Sequence, residues 1–314
     1  MTYKKRLIFL LSLIGVLLLT YMLSLLFSSD FTGTRTSSYV WLDSRAAARV
    51  TRIVINAEEQ DFELVKKTNQ WFVLHNGLEF PARQVRVEDF LSILTTRSLW
   101  PVRSSGDSSH ERFGLTDSAS RVTIYGEYSV LLDLLLGNDD IFRNETYFRK
   151  YGHSEVRSGD NSIKVYLSGQ VTNWYNLRLI PESEGNNFDI SNVQRLTVNN
   201  GTETQSFNRR NRSWEISGIT VNNPSMNNIE NYIRSIINLE GDNFVDSVSR
   251  DDPVFDNSRI TIELGNGRVI TIRFSEADET GRVMAHVSGR DYVYTVPAWS
   301  ASRIFRDASN FETN

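Results

Sequence analysis

The sequence predicts an α+β body of two tandem repeats, each an antiparallel sheet with one packed helix, preceded by one transmembrane helix. Three observations predict it: an uncharged apolar run near the N-terminus, a self-similarity at constant offset, and a hydrophobic period that switches between strand and helix within each copy. The boundaries that follow are a cytoplasmic N-terminus at 1–6, an anchor at 7–27 and a linker at 28–44. The first repeat then spans 45–183 and the second 184–314.

The anchor comes first. Leu7 to Phe27 is a 21-residue run without charge, and about 20 residues of helix cross about 30 Å of hydrocarbon. A cleaved signal peptide has a shorter apolar region followed by small residues, and here Leu25, Leu26 and Phe27 stand in their place. Ser12, Thr20 and Ser24 can return hydrogen bonds to their own helix backbone. Lys4, Lys5 and Arg6 precede the run, and the first charge after it is Asp30. The positive-inside rule therefore keeps the short N-terminus in the cytoplasm and puts the body outside.

The repeat comes next. Val50, Arg52, Asn56, Trp71, Pro81, Ile93, Val102 and Ser104 recur as Val193, Arg195, Asn199, Trp214, Pro224, Ile236, Val245 and Ser247, always 143 residues on (193 − 50 = 143). Ile53, Ile55, Leu64, Phe90 and Leu94 follow the same offset to Leu196, Val198, Phe207, Ile233 and Ile237. The offset then shortens to 138, pairing Ser120, Arg121, Thr123 and Ile124 with Ser258, Arg259, Thr261 and Ile262. Towards each end Val165-Tyr166 is matched with Val293-Tyr294. Trp174, Arg178 and Leu179 are matched with Trp299, Arg303 and Ile304.

Within the first copy, Val50–Asn56, Asp61–Lys67 and Gln70–His75 are rich in β-formers and predict a three-stranded meander. Pro81 ends the extended stretch. Val87, Phe90, Leu91 and Leu94 then fall at the i, i+3, i+4, i+7 spacing of one helix face, as do Ile229, Tyr232, Ile233, Ile236 and Ile237 in the second copy. A strand pair follows, plainest at Arg259–Leu264 and Arg268–Phe274, joined by Gly265-Asn266-Gly267. Its glycines tolerate the positive φ of a tight hairpin. Two more short strands close each copy.

Chemistry is sparse. With no cysteine among 314 residues, thiolate catalysis, disulfides and zinc-thiolate sites are excluded. The net charge is −4, and three of the 34 basic residues precede the apolar run, so the body is more acidic still. That is a poor match for a nucleic-acid backbone. His75, His110, His153 and His286 show no metal-ligand spacing. Asp139-Asp140 and Asp251-Asp252 could serve as paired carboxylates, but their neighbours mark them as turn residues. Trp71 with Trp214, and Trp174 with Trp299, could form aromatic platforms for a glycan or peptide; a repeated large aromatic reads first as core. Arg52 and Arg195 alternate with apolar strand residues and should face solvent or the neighbouring copy. No nucleotide-binding or nucleophile-elbow motif is present. No residue is assigned to catalysis, a cofactor or a metal.

The order of features carries a resemblance. It runs through Arg52-Ile53-Val54-Ile55, a Trp71 strand, Pro81 before a helix, Phe113-Gly114-Leu115 ahead of the next strand, Leu136-Gly137-Asn138 and a Val165-Tyr166 strand. In these the sequence resembles the bacterial domain-of-unknown-function family 4340 over residues 44 to about 310. The second copy has Val254-Phe255-Asp256 near the Phe-Gly-Leu place. Members of the family are found beside gliding-motility-type ABC transporters. The resemblance therefore implies a non-catalytic accessory subunit, single-pass in the bacterial inner membrane, its body periplasmic and its partners ABC permease or auxiliary subunits. It implies no catalytic residue. The competing reading is an envelope module that binds glycan or peptide, and an enzyme with an unfamiliar site is a third.

Overall fold

The computed structural model describes residues 14–18, 20, 38–57, 60–142, 144–180, 189–245, 251–255 and 258–313. Most of the expected anchor, and all of Lys4 to Arg6, lie outside the described residues. Within the run, residues 14–18 and 20 are helical, and the Thr20 hydroxyl donates to the Val16 and Leu17 carbonyls at 3.0 and 2.9 Å. Among the described residues no helix is long and apolar enough to cross a membrane.

The fold is α+β, with two large antiparallel sheets, a two-stranded pairing of Ser38–Tyr39 with Ser98–Leu99, and few helices. The first sheet comprises β1 Arg52–Ala57, β2 Gln60–Lys67, β3 Gln70–His75, β4 Leu78–Pro81, β5 Val102–Ser104, β6 Ser120–Tyr125, β7 Val130–Asp139, β8 Thr146–Lys150 and β9 Val156–Gly159. Its strands are ordered β4-β3-β2-β1-β6-β7-β8-β9-β5. Helix α1, Gln84–Thr95, lies in sequence between β4 and β5. The second sheet comprises β10 Val193–Asn199, β11 Thr204–Arg210, β12 Ser213–Ser217, β13 Asn243–Val245, β14 Ser258–Leu264, β15 Val269–Phe274, β16 Val283–Val287 and β17 Val293–Val296. Its order is β12-β11-β10-β14-β15-β16-β17-β13, and helix α2, Met226–Ile237, lies in sequence between β12 and β13. By its contacts the chain divides into two compact units, one of residues 1–69 and 85–170, the other of 70–84 and 171–314.

The period-2 pattern puts Ile53, Ile55, Leu64, Val122, Ile124, Leu132 and Leu134 in the first core, together with Val87, Phe90 and Leu94 of α1. The sheet's opposite face is covered as well: Leu115, Leu135 and Val156 form a buried cluster, with Phe113, Ala119 and Tyr147 packed against it. Here two short motifs explain each other. A Cβ on Gly114, whose φ is +68°, would run into the Asn138 amide, and one on Gly137 would strike the Phe113 carbonyl and Leu115. Phe113-Gly114-Leu115 and Leu136-Gly137-Asn138 are the two sides of one close contact.

In the second unit Leu196, Val198, Phe207, Ile260, Ile262, Ile270 and Ile272 are buried with Ile229, Tyr232, Ile233, Ile236 and Ile237 of α2. Each fully buried aliphatic side chain contributes on the order of 1.5–3 kcal/mol. Tyr232 packs on Phe207 (5.3 Å) and Phe311 (5.2 Å), and its hydroxyl donates to the Ile304 carbonyl at 2.5 Å. The Gly265–Gly267 hairpin is present, with Gly267 at φ +81° and Leu264 and Arg268 closing the turn.

Two sequence expectations are corrected. Val165-Tyr166 is not a strand but part of a helix, Lys164–Leu167. A polar turn imposes it: Asp160 accepts from the Ser162 amide, and the Val165 amide donates to the Asn161 carbonyl. The first-sheet strand just before that helix is β9, Val156–Gly159. Trp174 and Trp299 do not share an environment either. Trp174 is buried, whereas Trp299 is 64% exposed in the first turn of the helix Ala298–Ala301, with the Arg303 guanidinium 5.4 Å from its ring. Trp71 and Trp214 are both buried, as a core reading requires.

Candidate functional site

One feature of the first unit that packing does not explain is the tip of the β7–β8 hairpin. Ile141 is 95% exposed and Phe142 79% exposed, side by side at its outer end. Burial of either would be favourable, so their display in water has to be held in place by other contacts.

Those contacts are polar and form the base of the tip. Asp140 Oδ1 accepts from the Asn144 and Glu145 amides at 2.7 and 3.0 Å, and the Asp140 amide donates to the Glu145 carbonyl at 2.8 Å. The Glu145 amide above all holds the Asp140 carboxyl below its ordinary pKa. Beside it, Lys164 Nζ reaches both Asp139 carboxylate oxygens (2.6 and 2.5 Å), and Thr146 Oγ1 lies 2.9 Å from Asp139 Oδ1. On the other side Glu145 Oε2 accepts from Ser158 Oγ at 2.6 Å and from Arg103 Nη2 at 2.7 Å. The Ser158 bond, with Arg103 second, outweighs burial and lowers the Glu145 pKa. All three carboxylates are engaged in structure. The network closes the base of the turn that carries Ile141 and Phe142.

The residues singled out by sequence are dispersed. Asp140 is a turn residue, as its neighbours predict, and Asp252 is another, its Oδ1 accepting from the Val254 amide at 3.0 Å. His75 Nδ1 lies 3.1 Å from the Tyr175 hydroxyl, and His110 and His286 contact the Ser154 and Arg290 carbonyls, both at 3.0 Å. His153 is exposed. Among the described residues no group of acidic or histidine side chains could hold a metal ion. Arg52 and Arg195 are half exposed and pair with Glu63 and Glu263 at 3.3 and 3.2 Å. Sequence reasoning missed Ile141-Phe142; the available signal was an apolar pair bracketed by Asp139-Asp140 and Asn144-Glu145 between two strands.

Clefts lie in both units. A cleft of about 730 Å³ in the first unit is bordered by Arg49, Lys66, Asn69 and Tyr128. In the second unit a cleft of about 240 Å³ lies over His75, Phe80, Tyr175 and Phe244. Phe80 and Phe244 stack there at 4.7 Å, but they and Tyr175 are buried among themselves and offer no open aromatic platform.

The model of a family described as a domain of unknown function (DUF4340) matches residues 71–254. No curated protein and no solved structure matches the chain.

Proposed function

The chain belongs to the DUF4340 family, and from that premise we propose that it is a non-catalytic, extracytoplasmic accessory subunit of an ABC-type membrane transport complex. Leu7 to Phe27 anchors it in the bacterial inner membrane, and the body reaches its partners from the periplasmic side. A single span without an ATP-binding motif can neither power transport nor form a pore, so the chain works through partners. The observation that supports the reading is the exposure of Ile141 and Phe142 on a turn whose base is hydrogen-bonded through Asp140. A preorganised apolar pair meets a partner without a large ordering cost, and anchoring on one membrane raises the effective concentration of that contact.

The body in this reading is one unit used twice. Omitting the edge strand β4, the two sheets list their strands in the same sequence-relative order, with α1 and α2 at the same place in it. Details follow. Arg149 Nη1 donates to the carbonyl four residues on, at His153, and His286 Nε2 contacts the one four residues on, at Arg290. Asp140 and Asp278, 138 residues apart, each cap the turn after the second strand of a hairpin: Asp278 Oδ1 accepts from the Thr280 and Arg282 amides at 2.8 and 2.9 Å. The second turn is one residue shorter, which accounts for the offset of 137 beyond it.

The test is extraction of the tagged full-length protein in mild detergent, with identification of co-purifying chains. Transporter subunits are expected with the natural sequence and should be lost from Ile141→Ser/Phe142→Ser. Equal recovery with that variant would remove the tip from the docking surface. Recovery of the chain alone, with a hydrolytic activity lost on mutating acidic residues, would overturn the accessory role.

A further inference from the structure

We infer that the second sheet carries a carboxylate-binding site at Arg259, vacated by a substitution that the first sheet makes visible. The comparison of the sheets rests on the repeat reading; the site itself rests on the contacts of Arg259.

In the first sheet Arg121 is fully committed. Its Nε and Nη2 grip Asp133 through both oxygens at 2.7 and 2.5 Å, and its guanidinium lies 4.0 Å from the centre of the Tyr151 ring. The Asp133 carboxylate raises the Arg121 pKa further. Register fixes the arrangement: Asp133 on β7 stands opposite Thr123, two residues along from Arg121 on β6.

In the second sheet Thr261 stands opposite Thr271 in that same register, and Arg259 is two residues from Thr261 on β14. The position that holds the carboxylate in the first sheet thus holds a threonine. The ring is missing too, since the residue 137 beyond Tyr151 is Ser288, whose hydroxyl takes the Thr271 amide at 3.0 Å. Among the described residues Arg259 has no hydrogen-bond or ion-pair partner for its guanidinium. Its cross-strand neighbour is Arg273, where the first sheet has Leu135. Two like charges directly opposite destabilise a strand pair, and an anion between them offsets that repulsion.

The residues that line the cleft supply donors and no acid; Glu263, next along that face of β14, is paired with Arg195. Arg259, Thr261, Thr197, Asn199 and Thr204 line a cleft of about 230 Å³. Thr204 Oγ1 accepts from Asn199 Nδ2 at 2.9 Å, which leaves its own proton to donate. The Thr261 hydroxyl has no partner among the described residues. A planar guanidinium flanked by hydroxyl donors suits a carboxylate, which it takes through two parallel bonds. The ligand class is an acidic side chain or C-terminus of a peptide, or an acidic sugar.

The experiment is arginine modification of the full-length protein in detergent by phenylglyoxal, read by peptide mass mapping at constant ionic strength. Arg268, exposed and without a side-chain partner among the described residues, is the internal control. Acetate in place of chloride should slow modification of Arg259 at least threefold and leave Arg268 unchanged. Thr271→Asp, which rebuilds the internal partner, should slow it without acetate and abolish the acetate effect. Equal acetate effects on Arg259 and Arg268, or an acetate effect that survives Thr271→Asp, overturns the site. Arms with blocked glutamate and with glucuronate support it through whichever protects at lower concentration, and that arm names the source. Asp133→Thr reports on the repeat reading separately: it should make Arg121 acetate-sensitive, and failure there with a protected Arg259 refutes the equivalence while leaving the site.

Discussion

Gly159→Ala should unfold the first unit's aromatic centre, and the structure sets the size of the effect. Trp100 is 2% exposed and stands edge-on to Trp41 (5.4 Å) and Phe148 (5.3 Å). A Cβ on Gly159 would lie 2.7 Å from Trp100 Cη2 and closer still to Cζ3 and Cε3. Carbon atoms pack at about 3.5–4.0 Å, so the ring has to move by roughly an ångström or more. Two responses bound the cost. Yielding of the surroundings, as in other overpacked cores, costs about 1–3 kcal/mol; expulsion of the ring approaches the 3–5 kcal/mol or so of truncating a buried tryptophan. We expect about 3 kcal/mol, which for a unit of this size lowers Tm by roughly 6–12 °C. Denaturant unfolding followed by tryptophan fluorescence measures it, in a cycle with Trp100→Ala. In the alanine background the new methyl enters vacated space, so Gly159→Ala should be nearly neutral there, giving a coupling of at least about 2 kcal/mol. A cost that is equal in both backgrounds, or below about 0.5 kcal/mol in the natural one, refutes the reasoning.

The depressed Asp140 pKa makes the tip acid-sensitive only at low pH. Because the folded value lies below 3.8, the turn's stabilisation is complete above that pH and is lost as pH falls through the folded value. Asn144 and Glu145 amide shifts should therefore be flat from neutral pH to about 5 and move only below about 4; movement at higher pH contradicts the cap. Tyr232→Phe removes the donor to the Ile304 carbonyl and should cost about 1 kcal/mol in denaturant midpoint, with an unchanged midpoint arguing against that bond. Ile141→Ser/Phe142→Ser touches no packed surface and should leave thermal stability within about 0.5 kcal/mol of the parent, so a large loss would show the pair to be structural.

What sequence made legible was what local periodicity controls. The meander of β1 to β3, the buried face of α2 and the Gly265–Gly267 hairpin each follow from spacing within about a dozen residues. The rest depends on non-local partners. Val165-Tyr166 has strand-forming side chains, yet the Asp160-Asn161 turn and the packing of Tyr166 against Phe90 (5.3 Å) hold it helical. Trp299 follows Pro297-Ala298, which open a helix and turn the ring outward, a direction that no pattern of apolar residues encodes. The bounds of β7 are not legible in sequence because an all-apolar run such as Leu134-Leu135-Leu136 carries no alternation when both faces are covered. The tip was hidden for the same reason in reverse. An apolar pair reads as core until its neighbours are seen to leave it uncovered.

Within the repeat reading, the second copy shows which features of that tip the fold demands. Asp278 caps its turn as Asp140 does, and the Asp278 amide donates to the Arg282 carbonyl at 2.8 Å, as that of Asp140 does to Glu145. The residues displayed between, however, are Glu279, Thr280 and Gly281. The cap is thus what closes the hairpin, and Ile141 and Phe142 are additions to it. The same reading bears on Arg121, which grips Asp133, and Arg259, which has no carboxylate partner among the described residues. On that reading, two copies would retain what both need for packing, as at Trp71 and Trp214, and would be free to differ where packing is indifferent. An apolar tip in one copy and an unpaired guanidinium in the other are changes of that second kind, and each costs solubility or charge balance unless something outside the chain meets it.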